Sequence, residues 1–120
     1  MIRKMIICFW IMLTMLFVIP MTAKAELIPL GTYKLTAYCG GSCCNGKWAG
    51  QTASGAPLQE HHTIATSAKE FPFGTTLIIN GEEYVVEDRG VGPGVIDIYH
   101  ASHSAGNRFG IQYAEVYLKK

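Results

Sequence analysis

Apolar positions fall into two regimes along this chain. From Met5 to Ile19 they run unbroken except for Thr14, with no charged residue. Beyond residue 26 they come in short runs, several of them alternating with polar residues, separated by Gly, Pro, Asn and Ser. Short alternating runs punctuated by turn formers predict an all-β domain. The expected strands are Leu30 to Tyr38, Thr63 to Thr66, Thr76 to Ile79, Glu82 to Val86, Val95 to Tyr99 and Ile111 to Leu118. Asn80-Gly81 between two β-rich runs predicts a type I′ hairpin, in which both central residues take positive φ. In Val95 to Tyr99, period two places Asp97 with Val95 and Tyr99 on one face and Ile96 with Ile98 on the other. Ser102 to Phe109 is the single expected short helix, capped by Ser102 and closed by Gly110. Gly40 to Gly55 and Asp88 to Gly94 read as loops, and Glu70 to Gly74 as a turn, since Pro72 disfavours a helical Phe71. Six short strands and one helix suggest a small closed barrel, because closure removes exposed edges.

The first regime reads as an address rather than as structure. Arg3 and Lys4 precede the apolar run, and Pro20 and Ala23-Lys24-Ala25 follow it. This is the layout of a secretory signal peptide cleaved after Ala25. The run is short for a membrane span, which needs about 20 residues. An uncleaved anchor is the alternative, and Pro20 with the small-residue site favours cleavage. The expected organisation is a signal peptide at 1–25 and one domain at 26–120, with no stable membrane span after processing.

That division changes the charge. The whole chain carries +1, but residues 26–120 keep seven basic and all nine acidic residues, a net of −2. A mildly acidic domain excludes a strongly basic nucleic-acid binder. All 13 glycines also lie in 26–120.

Two aspartates are the first candidates for chemistry. Asp88 opens a Gly-rich loop and Asp97 follows it on a strand. Paired carboxyl groups suit glycosidic bond cleavage, where one protonates the leaving oxygen and the other tunes or stabilises charge. Asp88 has a second possible use, as an acceptor for backbone amides of its own loop, and Asp97 could pair with Arg89 or Arg108. Arg89 is also placed to hold a substrate acyl group, and Trp48, Tyr38 and Tyr99 to stack on sugar faces or pack.

Cys39, Cys43 and Cys44 are the other cluster. In an exported chain a disulfide among them is the first expectation, with one thiol left over. Free thiols come next. A metal would require a fourth ligand, His61 or His62, and the spacing matches no zinc signature, so no metal or other cofactor is expected. A catalytic thiol comes last. His100 and His103 are expected to face solvent or cap the helix.

A resemblance adds to these readings. Thr63-Ile64-Ala65-Thr66-Ser67, Phe71-Pro72-Phe73-Gly74-Thr75, Val86-Glu87-Asp88-Arg89-Gly90, Ile96-Asp97-Ile98-Tyr99, Phe109-Gly110 and Val116-Tyr117, in that order, resemble the 3D domain family, named for three aspartates. Thr36-Ala37-Tyr38-Cys39 and Thr52-Ala53-Ser54-Gly55 look like its upstream segment. The family occurs in secreted bacterial wall proteins and in the catalytic part of the lytic transglycosylase A family, and expansin-like domains share its fold. The resemblance implies a six-stranded double-psi β-barrel, a wall location, and cleavage of peptidoglycan glycan strands without water, giving 1,6-anhydro ends. It implies Asp97 as the acid/base and Asp88 as its tuning partner. The position of the first family aspartate holds Ser67, which can bind sugar but carries no charge. That departure keeps a second expectation open, a non-catalytic wall-binding or expansin-like module.

Overall fold

The computed structural model describes residues 25–120. The expected signal peptide therefore lies almost wholly outside the described residues. Six strands appear: β1 (Leu27–Tyr38), β2 (Thr63–Ala65), β3 (Thr76–Ile79), β4 (Glu82–Asp88), β5 (Val95–Tyr99) and β6 (Gln112–Lys119). They hydrogen-bond in the order β1-β5-β2-β4-β3-β6, and β6 pairs back onto β1, so the sheet closes on itself. Among the described residues no helix is long and apolar enough to cross a membrane.

Alternation fills the interior. Ile96 and Ile98 of β5, Leu77 and Ile79 of β3, and Tyr84 and Val86 of β4 are buried, joined by Leu35, Ile64 and Val116. The residues between them on β5, Val95, Asp97 and Tyr99, are half-buried. The hairpin between β3 and β4 has the expected turn, with Asn80 at φ 51° and Gly81 at φ 78°.

α2 (His103–Phe109) is the expected short helix, with the Ser102 hydroxyl accepting from the Ala105 amide and Gly110 ending it at φ 63°. The 40–55 segment departs from a plain loop. It carries α1 (Ser42–Asn45), one helical turn, and a 3-10 turn at Gly46–Trp48. The carbonyl of Gly41 starts that turn by accepting from the Cys44 and Asn45 amides. β1 begins at Leu27 rather than Leu30, because Pro29 and Gly31 flank a register shift against β6 instead of ending the strand. β4 runs two residues past Val86, which places Asp88 at the end of a strand and on its buried face.

Candidate functional site

One row of backbone partners crosses four strands. Thr36 on β1 pairs with Asp97 on β5, Asp97 with Ala65 on β2, and Ala65 with Asp88 on β4. The last step depends on an irregularity. Ile64 is opposite Val86, but Ala65 is opposite Asp88, so Glu87 is skipped. Such a slip re-aims side chains locally. Here it sets Asp88 in the row, while the Glu87 carboxylate is tied down by the Thr63 hydroxyl at 2.9 Å and lies 3.4 Å from the His62 ring.

Both aspartates line one cleft of about 260 Å³, with Tyr38, Ala65, Arg89, Gly90, Cys44, Asn45 and Trp48. A larger open groove of about 690 Å³ shares Trp48, Arg89 and Gly90 and continues along Gln51 to Gly55. The two make one extended surface depression centred on Trp48 and Arg89.

The two carboxyl groups have different surroundings. Asp88 is buried and fully engaged. One oxygen accepts from the Ala53 amide at 3.0 Å and the Arg89 amide at 2.8 Å, and the other accepts from the Tyr38 phenol at 2.9 Å. Burial, followed by the charge and hydrogen bond of Asp88, drives the Tyr38 phenol far above its ordinary range. Asp97 is half-buried and accepts from the Thr36 hydroxyl at 2.9 Å. Its carboxyl is held above the ordinary 3.8, first by burial and then by the charge of Asp88, against the opposing pull of Thr36 and His100. Neither Arg89 nor Arg108 forms an ion pair with it among the described residues.

The other expected site residues divide. The Arg89 guanidinium lies 4.0 Å from the centre of the Phe73 ring and donates to Thr66 at 3.3 Å, which holds it at the cleft edge. Trp48 is 61% exposed. Tyr99 packs edge-on behind Tyr38, with ring centres 5.8 Å apart, and lines a separate groove with Glu60, His61 and His100. Ser67 is buried, its hydroxyl accepts from the Lys69 amide at 3.2 Å, and it is not among the residues lining the aspartate cleft. Thr36 and Tyr38 were not singled out for the aspartates from sequence. The available signal was their spacing, since residues two apart on a strand share a face.

The three cysteines are free thiols. Cys39 is buried, and its sulfur lies 3.0 Å from that of Cys44 and 3.3 Å from that of Cys43. The contact with Cys44, then the Gly41 backbone, draws the Cys39 thiol down to about 6, and the same contact pushes Cys44 up to about 11. The imidazole that joins them is His103, not His61 or His62. His61 and His62 instead face Glu82 and Glu87.

No protein-family model and no curated protein matches the chain. Solved structures do. The crystal structure of MltA from E. coli is 28% identical, with a TM-score of 0.51, over 58% of this chain and 27% of that one. The apo-2 form of an alanine variant of MltA, described as an E. coli lytic transglycosylase, is 26% identical with the same TM-score and coverage. The present chain thus corresponds to about a quarter of the length of those structures.

Proposed function

We propose that this chain is an exported, cell-wall-active protein that cleaves peptidoglycan glycan strands as a lytic transglycosylase, on a six-stranded double-psi β-barrel. The observation that carries the reading is the row Thr36–Asp97–Ala65–Asp88, which brings two carboxyl groups in contrasting environments to one cleft. The partial likeness to MltA supports it. Environments that treat neighbouring carboxyl groups differently are the usual basis for acid/base division of labour.

In this reading Asp97 enters the reaction protonated. It gives its proton to the oxygen between N-acetylmuramic acid and N-acetylglucosamine as the C1–O bond breaks, and the leaving sugar departs as an alcohol. The muramic acid 6-hydroxyl then closes on C1 and returns its proton to the Asp97 carboxylate. The bond broken and the bond formed are both C–O, water is not consumed, and the enzyme ends in its starting protonation state. Burial first, and then the neighbouring Asp88, keep the Asp97 carboxyl raised, while three donors fix the Asp88 carboxyl in place. Trp48 offers a flat face to a sugar ring, and Arg89 reaches an acetyl or lactyl oxygen.

Product analysis tests this. Purified protein incubated with peptidoglycan releases fragments with 1,6-anhydromuramic ends, read by mass spectrometry, and Asp97→Asn abolishes them. A second reading rests on Ser67, whose neutral hydroxyl is spent in a turn outside the aspartate cleft. It makes the chain a wall-binding module. Sedimentation with wall sacculi and no soluble products overturns the enzyme reading and supports this one.

A further inference from the structure

Three thiols and one imidazole meet at a point that the glycan chemistry does not use. Cys39 follows β1, Cys43 and Cys44 lie on α1, and His103 opens α2. Their ligand atoms all lie within 4.8 Å of one another. His103 Nδ1 is 3.8 Å from the sulfur of Cys39, 3.5 Å from that of Cys43 and 3.6 Å from that of Cys44. The sulfurs are 3.0, 3.3 and 4.0 Å apart.

These separations have a simple reference. A zinc ion with bonds of about 2.3 Å to sulfur and about 2.0 Å to nitrogen, at tetrahedral angles, has S···N edges of about 3.5 Å and S···S edges of about 3.8 Å. The S···N distances of 3.5, 3.6 and 3.8 Å start at the first value, the longest S···S distance is 4.0 Å, and the ion would open the two shorter S···S edges, 3.0 and 3.3 Å, toward the second. A disulfide would use two of the three sulfurs and leave the imidazole, nearly equidistant from all of them, without a role. Three soft thiolates and an imidazole in this arrangement select zinc over harder cations.

We infer that Cys39, Cys43, Cys44 and His103 bind one zinc ion in a closed, structural site that ties the end of β1 and α1 to the start of α2. All four positions are filled by protein, so none is open for water or substrate. Binding releases the thiol protons to solvent, and His103 binds through neutral Nδ1 with the ring proton on Nε2. The local backbone is already shaped for it. The Asn45 side chain donates to the Cys39 carbonyl at 2.6 Å, closing the turn that brings Cys43 and Cys44 back over Cys39. The Ser102 cap holds the first turn of α2, where His103 sits. Cys43, Cys44 and His103 are exposed, which gives the ion a path in. The consequence reaches the cleft, because Cys44, Asn45 and Trp48 of the tethered segment form one of its walls.

The site is independent of the glycan reading and is tested without activity. The full chain is expressed in an exporting host, purified reduced and without chelator, and its metal content is measured by mass spectrometry. One zinc per chain is expected. Cobalt substitution should give the visible d–d bands and near-ultraviolet sulfur charge-transfer band of a tetrahedral thiolate site. His103→Ala and Cys43→Ser, both at exposed positions, should weaken zinc retention against a chelator by at least about tenfold, the loss that even changes outside the ligand set can cause. His61→Ala with His62→Ala should retain the zinc. A chain that holds no stoichiometric zinc when reduced, or that is isolated with a disulfide among the three cysteines and takes up no cobalt after reduction, overturns the proposal.

Discussion

The hydroxyl of Thr36 donates to Oδ1 of Asp97 across the parallel pair of β1 and β5, at 2.9 Å. This bond favours the charged carboxylate and so works against the burial that raises it. Thr36→Val removes the donor and keeps the shape. The Asp97 carboxyl should then rise further, and the alkaline limb of anhydro-product formation should move to higher pH. An unmoved limb would show that Asp97 is not the group whose protonation limits the reaction.

Asp97 itself gives a stability test with a definite sign. Its folded carboxyl lies above the ordinary 3.8, so the folded state binds the proton more tightly than the unfolded state. That stabilisation is complete below about 3.8 and is lost as pH rises through the folded value. Asp97→Asn carries no charge at any pH. Thermal melts should show the variant more stable than the parent at pH 7, with the difference vanishing near pH 3.5. In the proposed glycan-cleaving reaction the same variant should lose about 100-fold or more in rate.

Losing the Asp88 contacts should destabilise the fold, because its carboxyl accepts from three donors. Tyr38→Phe deprives one buried carboxylate oxygen of its donor, at a cost of about 1–3 kcal/mol. In a domain of this size each kcal/mol lowers the melting midpoint by roughly 4–8 °C. Asp88→Ala strands all three donors and should cost more than Tyr38→Phe. Equal melting points for the two variants would refute the view that Asp88 organises the Ala53 and Arg89 backbone.

How much of this was legible beforehand depends on range. The hairpin at Asn80-Gly81, the faces of β5 and the caps of α2 were readable, because each is decided by residues within a turn or two of one another. β1 starts three residues before the expected Leu30, since the local pattern says nothing about a register shift that accommodates Pro29 and Gly31. Asp88 and Asp97 were readable as a pair of candidates, but what brings them to one cleft was not. The skip at Glu87 is set by how β2 meets β4, and no pattern within either strand announces it. His103 was read as a cap or surface group because its sulfur neighbours are about 60 positions away.

Gly81 sits at φ 78° in the hairpin, with open space where a side chain would go. Gly81→Ala therefore tests backbone strain alone, without a clash. It should destabilise the protein by about 1–2 kcal/mol, measured by urea denaturation with an unchanged slope. A neutral result would mean that the turn relaxes out of its type I′ form.

The closure of the sheet by β6 onto both β1 and β3 has a kinetic meaning. Each pairing in the row joins residues at least 23 positions apart in the chain, and the strand that locks them in place is the last of the described six. Few of these contacts are local, which places the domain among folders on a scale of roughly milliseconds to seconds rather than microseconds. A chain still lacking β6 leaves β1 and β3 as unpaired edges. Both carboxyl groups are present in such a chain, but the ring that aligns them is not, so competence should arrive in one late step rather than by degrees.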